Sequence, residues 1–144
     1  MKRIIASTLI LLAAIGQHTF AQQIVTITEK EFIEKVWDYN TNPQEFVYKG
    51  TTPCIVDFYA DWCGPCRKLA TNLKTIAAKY PEQIIIYKID VDNKENSNLV
   101  SLFGIQSIPY LLFANSESVH NHSGLLSVEQ LEEVIGTHTT ATDK

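Results

Sequence analysis

Residues 57–68 read Asp57-Phe58-Tyr59-Ala60-Asp61-Trp62-Cys63-Gly64-Pro65-Cys66-Arg67-Lys68, and they predict a strand that enters a Cys-x-x-Cys turn and leaves it as a helix. Two cysteines separated by two residues can close a small disulfide ring, and Pro65 stiffens the turn between them. The pair can therefore switch between a dithiol and a disulfide.

The residues that follow predict a helix that begins at this pair. Apolar residues recur there with helical spacing, at Leu69, Leu73, Ile76 and Ala77. Cys63 then lies at a helix N-terminus, where unpaired backbone N–H groups and the helix dipole favour a thiolate over a thiol. Because the thiolate is the nucleophile, Cys63 is the expected attacking sulfur.

The block Trp62-Cys63-Gly64-Pro65-Cys66, with the strand before it and Ile108-Pro109 far downstream, resembles the active site of the thioredoxin family. The resemblance extends from about Ile24 to the end of the last helix. A lone Cys-x-x-Cys would be ambiguous, since half of a zinc site reads the same way. The resemblance implies thiol–disulfide exchange, in which Cys63 attacks a substrate disulfide and Cys66 resolves the mixed disulfide, with no metal or organic cofactor.

The alternation of strand and helix patterns predicts an α/β domain with a mixed central β-sheet flanked by helices on both faces, which is the thioredoxin fold. We expect this domain to span residues 22–138, with a flexible tail at 139–144. The connection at 40–52, with a possible extended segment at 45–50, is longer than in the family pattern. It is either a surface insertion or an edge that recognises a partner.

Asp57 is out of place in an apolar strand, because burial of a carboxylate disfavours its charged form and raises its pKa. The resemblance implies that Asp57 exchanges a proton with the resolving sulfur through water, and that Lys88 on the next strand is its partner. A purely structural buried pair is the alternative.

Pro109 stands at the start of a predicted strand, where it cannot donate to the sheet ladder. The resemblance implies that the Ile108–Pro109 bond is cis and that the Ile108 backbone lies beside the dithiol to bind an extended substrate. It also implies a docking patch, formed by Trp62, Pro65, Ile108 and Gly124. The hairpin expected at 114–124 lacks an Asn-Gly turn, which leaves its register open.

The first 21 residues have the layout of a secretory signal peptide. Lys2 and Arg3 precede an apolar run at 4–15, and Ala21 supplies the small residue that a signal peptidase needs. We expect cleavage after Ala21, export to the periplasm and no stable membrane insertion afterwards. The alternative is a membrane anchor that stays attached, although a span usually needs about 20 apolar residues.

The chain of 144 residues is acidic, with 12 lysines and arginines against 16 aspartates and glutamates. This balance argues against nucleic-acid binding, which needs a basic surface. Cys54 is an odd cysteine, expected as a buried core residue, with a redox-sensing or dimer-forming thiol as the alternative. His120 and His122 could complete a zinc site with the dithiol, but Pro109 and Asp57 fit redox chemistry better.

The dipeptide Gly64-Pro65 resembles the reducing end of the family. It favours a protein-disulfide reductase. Because export places it in an oxidising compartment, we expect it to act on exported protein disulfides and to be recharged by a membrane thiol-electron donor. We also expect it to be a monomer. A disulfide oxidase or isomerase is the first alternative. A binding module or chaperone with an incidental dithiol is the second.

Overall fold

The computed structural model of the protein describes residues 23–139. Its strands are β1 (Ile24–Thr26), β2 (Cys54–Tyr59), β3 (Ile85–Asp90), β4 (Tyr110–Ala114) and β5 (Val119–Ser123). Its helices are α1 (Glu29–Lys35), α2 (Gly64–Lys79), α3 (Ser97–Leu102) and α4 (Val128–Thr139), with a 3₁₀ turn at Lys94–Asn96 before α3. The predicted signal peptide and residues 140–144 of the predicted tail lie outside the described residues.

The five strands form one sheet in the order β1-β3-β2-β4-β5. β3 is parallel to both β1 and β2, whereas β4 is antiparallel to β2 and β5. α2 connects the parallel strands β2 and β3, whereas a short hairpin connects the antiparallel strands β4 and β5. The prediction of an α/β thioredoxin fold with a mixed sheet is confirmed.

Helices cover both faces of the sheet because β2 is apolar on both sides. Val56 and Phe58 point to one face and pack with Phe32 of α1 and Leu99 of α3. Ile55 points to the opposite face, where it packs in a core formed with α2 and α4, including Leu69, Leu73, Leu131 and Ile135. Side chains alternate along a strand, so Asp57 shares the α2/α4 face with Ile55.

Residues 36–53, all of them described, form neither a helix nor a strand, so the possible extended segment at 45–50 adds nothing to the sheet. Their backbone is instead fixed by turns and by aromatic side chains. The Trp37 indole N–H donates to the carbonyl oxygens of Asn42, at 3.2 Å, and Glu45, at 2.9 Å. Its ring packs against Phe46, with 5.0 Å between ring centroids. The enlarged connection is therefore folded onto the α1/α3 face.

The hairpin between β4 and β5 closes through an asparagine side chain. The Asn115 side-chain oxygen accepts hydrogen bonds from the backbone N–H groups of Glu117, at 2.8 Å, and Ser118, at 2.7 Å. Such a side-chain turn takes the place of an Asn-Gly turn. The register that the sequence left open pairs Phe113 with His120.

None of the helices within residues 23–139 is both long and apolar enough to cross a membrane.

Candidate active site

Cys63 and Cys66 form a disulfide at the start of α2. Cys63 is the residue just before the helix, and the backbone N–H of Cys66 donates to its sulfur at 3.2 Å. Both residues are buried, with 4% and 3% of their surface exposed. In the reduced protein, this N–H and the helix dipole would favour the thiolate of Cys63, which agrees with its predicted role as the attacking sulfur.

The loop before β4 lies against the disulfide. The Ile108–Pro109 bond is cis, as the family resemblance implies. The carbonyl oxygen of Ile108 lies 3.8 Å from the Cys63 sulfur. The backbone N–H of Gly124, at the end of β5, donates to the carbonyl oxygen of Pro109 at 2.8 Å. Two loops far apart in sequence are therefore joined beside the sulfur pair.

An open cavity of about 280 Å³ lies near the disulfide, because its lining residues Val91 and Ile108 also pack against Cys63 and Cys66. Its apolar lining includes Trp62 and Ile108 from the predicted docking patch, together with Val91, Val100 and Ile105. Trp62 is 69% exposed, the largest value among the exposed hydrophobic residues described. The cavity and this ring offer an apolar surface at which a substrate chain could bind. Of the other two predicted patch residues, Pro65 is exposed in the first turn of α2, and Gly124 is hydrogen-bonded to Pro109 in the loop before β4.

Asp57 is fully buried on the α2/α4 face. Neither of its carboxylate oxygens accepts a hydrogen bond from any residue within 23–139. Burial raises the pKa of Asp57 from 3.8 to about 6, and the positive charge of Lys88 opposes this rise. The predicted burial and the predicted direction of the pKa shift are confirmed.

Lys88 lies beside Asp57, as predicted, because the two residues are register partners on β3 and β2. However, the Lys88 ammonium does not hydrogen-bond the carboxylate. It lies over the aromatic ring of Tyr59, with 3.8 Å between Nζ and the ring centroid. Tyr59 follows Asp57 by two residues and so occupies the same face, where a ring can attract a cation. Lys88 therefore acts on Asp57 only through its charge, and the direct partner of its ammonium is the Tyr59 ring.

Besides Tyr59, three residues shape the site without any signal in the sequence pattern. Asp92 accepts a hydrogen bond from the Trp62 indole N–H at 2.7 Å, and the hydroxyl groups of Ser107 and Ser123 lie 2.8 Å apart. Sequence spacing could not reveal these contacts, because the contacting residues are 30 and 16 positions apart and belong to different elements of the fold.

Cys54 lies at the other end of β2 and packs in the core on the α1/α3 face. It is 2% exposed and takes part in no disulfide within the described chain. Burial raises the pKa of its thiol to about 12. A thiol that stays protonated is a poor nucleophile, so the prediction of a buried core residue is confirmed.

His120 and His122 lie on β5, which β4 separates from β2. Among residues 23–139, no group of three or more His, Cys, Asp or Glu side chains is placed to hold a metal ion. The structure does not bring the two histidines into a zinc site with the cysteine pair.

Comparison with known proteins agrees with this geometry. Residues 23–137 match the family model described as Thioredoxin. The chain is 37% identical to the thioredoxin of Borreliella burgdorferi over 112 residues, which cover 77% of this chain and 93% of that protein. It is 42% identical to the thioredoxin of Alicyclobacillus acidocaldarius over 85 residues, or 58% of this chain and 79% of the relative. A crystal structure of chloroplastic thioredoxin z superposes with a TM-score of 0.64 at 27% identity, covering 81% of this chain and 95% of that one.

Proposed function

The chain belongs to the thioredoxin family of thiol–disulfide oxidoreductases, and we propose that it acts as a protein-disulfide reductase on exported proteins. The observation that carries this proposal is the cysteine pair at the N-terminus of α2, beside an open apolar cavity. The dipeptide Gly64-Pro65 within the turn favours the reducing direction. Thioredoxin has a reduction potential of about −270 mV.

In the proposed reaction, the Cys63 thiolate attacks one sulfur of a substrate disulfide. The substrate S–S bond breaks, a mixed disulfide forms, and the first substrate sulfur leaves as a thiolate that takes up a proton. Cys66 then loses its proton and attacks the Cys63 sulfur, which releases the second substrate sulfur. Two electrons pass to the substrate, and the protein is left with the Cys63–Cys66 disulfide.

Asp57 is the proposed acceptor of the Cys66 proton, which passes to it through water. The positive charge of Lys88 lowers the pKa of the Asp57 carboxyl and so moderates its proton affinity. Support comes from the burial of Asp57, its unpaired oxygens and its pKa of about 6. A carboxyl with a pKa near the working pH can both take and return a proton.

The proposed site of action is the periplasm, because the first 21 residues have the pattern of a cleaved signal peptide. A reductase in an oxidising compartment must be recharged, so the proposal includes a membrane thiol-electron donor. The mature protein is proposed to be a monomer.

N-terminal sequencing of the exported protein should find Gln22 first. A variant with Lys2→Glu and Arg3→Glu should stay unprocessed, and an intact Met1 in the exported fraction would contradict the proposal.

The decisive experiment is the redox potential of the Cys63–Cys66 pair, measured in defined dithiothreitol or glutathione buffers by trapping free thiols. A value of about −270 mV, with reduction of insulin disulfides, is expected for a reductase. A value of about −120 mV would overturn the proposal of a reductase in favour of an oxidase.

Matched variants separate chemistry from binding. The Cys66→Ser variant should accumulate a mixed disulfide with substrate, and the Cys63→Ser variant should not. Alkylation of both cysteines should abolish activity. If alkylated protein still performed its function on client proteins, the chain would be a binding module with an incidental dithiol.

A further inference from the structure

Three side chains share the α2/α4 face of the sheet beneath the cysteine pair. Asp57 and Tyr59 are two residues apart on β2, and Lys88 is the register partner of Asp57 on β3. The Lys88 ammonium lies 3.8 Å from the centroid of the Tyr59 ring. Neither oxygen of Asp57 accepts a hydrogen bond from the described part of the chain. The nearest cation is thus held by a ring while a carboxylate beside it lacks a hydrogen-bond donor.

The far end of the Tyr59 side chain lies toward β1. The pKa of the Tyr59 hydroxyl is raised, chiefly by burial, and the side chain of Thr26 on β1 is close enough to oppose that rise. Thr26 is the register partner of Lys88 on the other side of β3. The Tyr59 side chain therefore extends from β2 across β3 toward β1, and this path places its ring at the Lys88 ammonium.

We infer that Tyr59 is a positioning residue of this site, which holds the Lys88 ammonium by a cation–π contact and so prevents it from forming an ion pair with Asp57. This inference rests on the proposed function, in which Asp57 must bind and release a proton. An ammonium hydrogen-bonded to the carboxylate would favour its charged form and lower its proton affinity. Attraction by the ring competes with that hydrogen bond for the same cation.

Few other groups can act on the Asp57 carboxyl. Lys88 and Asp90 face this region from β3, and Asp61 follows the end of β2. From α2 the disulfide contributes no charge. On β4 the residue paired with Asp57 is the apolar Leu111. Lys88 is thus the one cation that acts on the Asp57 carboxyl within residues 23–139.

The test is the titration of Asp57 in the oxidised protein, followed by carboxyl ¹³C NMR in Tyr59→Leu and Tyr59→Phe variants. Tyr59→Leu removes the ring, so the ammonium can reach the carboxylate, and the proton affinity of Asp57 should fall about tenfold or more. Tyr59→Phe keeps the ring without the hydroxyl and is the conservative control. Its titration should stay close to that of the parent. Tyr59→Met serves in place of the leucine variant if the latter fails to fold.

A leucine could also lower the proton affinity by admitting water to Asp57, and Lys88→Met separates the two causes. In the Lys88→Met background, Tyr59→Leu should have no further effect, because the cation that the ring holds is gone. An equal fall in both backgrounds, or no fall in the parent background, would overturn the inference. The titration uses oxidised protein without substrate, so it gives the same answer whether or not the protein proves to be a reductase.

Discussion

Burial of the Asp57 carboxyl should lower the stability of the protein at neutral pH by an amount that is absent at acidic pH. Its pKa rises from 3.8 to about 6 on folding. The folded state therefore binds more protons than the unfolded state between these values, and stability falls as pH rises through this window. One pKa unit corresponds to about 1.4 kcal/mol, so the full cost above pH 6 is about 3 kcal/mol.

Asp57→Asn removes this charge and nearly preserves the side-chain volume. Urea unfolding of the oxidised variant and parent, across pH 3.5 to 8, gives the difference in their free energies of unfolding at each pH. Any penalty for burying an amide is present at every pH and cancels from the change in this difference. We expect the difference to move in favour of the Asp57→Asn variant by about 3 kcal/mol, mostly between pH 4 and 6.

Asp61→Asn, which removes an exposed carboxylate from the neighbouring loop, is the control and should not reproduce this rise. A difference between the Asp57→Asn variant and the parent that stays constant with pH would refute the reasoning. It would mean that folding leaves the proton affinity of the Asp57 carboxyl unchanged.

Three further predictions concern residues around the site. Cys54→Ala should cost about 1 kcal/mol of unfolding free energy, the order of one buried methylene group, without changing the redox potential, since about 17 Å of strand separates it from Tyr59. A changed potential would restore a redox role for its thiol. Trp37→Phe removes the N–H donor to two carbonyl groups of the connection and should cost about 1–2 kcal/mol in urea unfolding, again with an unchanged potential. A potential that moved would link the connection to the dithiol. Gly124→Ala should cost about 1–3 kcal/mol because φ is +108° there, and should raise the KM for insulin through the bond to Pro109. An unaltered KM would separate Gly124 from substrate docking.

The sequence predicted those parts of the site that depend on local order. An apolar strand, a stiff Cys-x-x-Cys turn and a helical apolar stripe follow one another along the chain, so they placed Cys63 at the N-terminus of α2. The apolar context of Asp57 was equally local, and it predicted both burial and the rise in pKa.

Contacts between distant segments could not be read from spacing. In the sequence, Tyr59 reads as one more apolar position of β2. Its contact with Lys88 could not be predicted, since Lys88 lies 29 residues later on a different strand. The connection at 40–52 is fixed by Trp37 and by turn hydrogen bonds, which do not follow a strand or helix period. Asn115 closes the hairpin with its side chain, a solution that a search for Asn-Gly overlooks.

The energetics of Asp57 bear on why a carboxylate occupies the central strand. A structural ion pair would need Lys88 to hydrogen-bond the carboxylate, since a buried charge is tolerated when its partner satisfies it. Lys88 instead lies over Tyr59, and the carboxylate keeps two unpaired oxygens and a cost of about 3 kcal/mol above pH 6. An apolar residue at position 57 would avoid this cost and fit the surrounding core. The arrangement is therefore poorly explained as a stabilising pair, and it favours a chemical role in which a readily protonated Asp57 serves the dithiol above it.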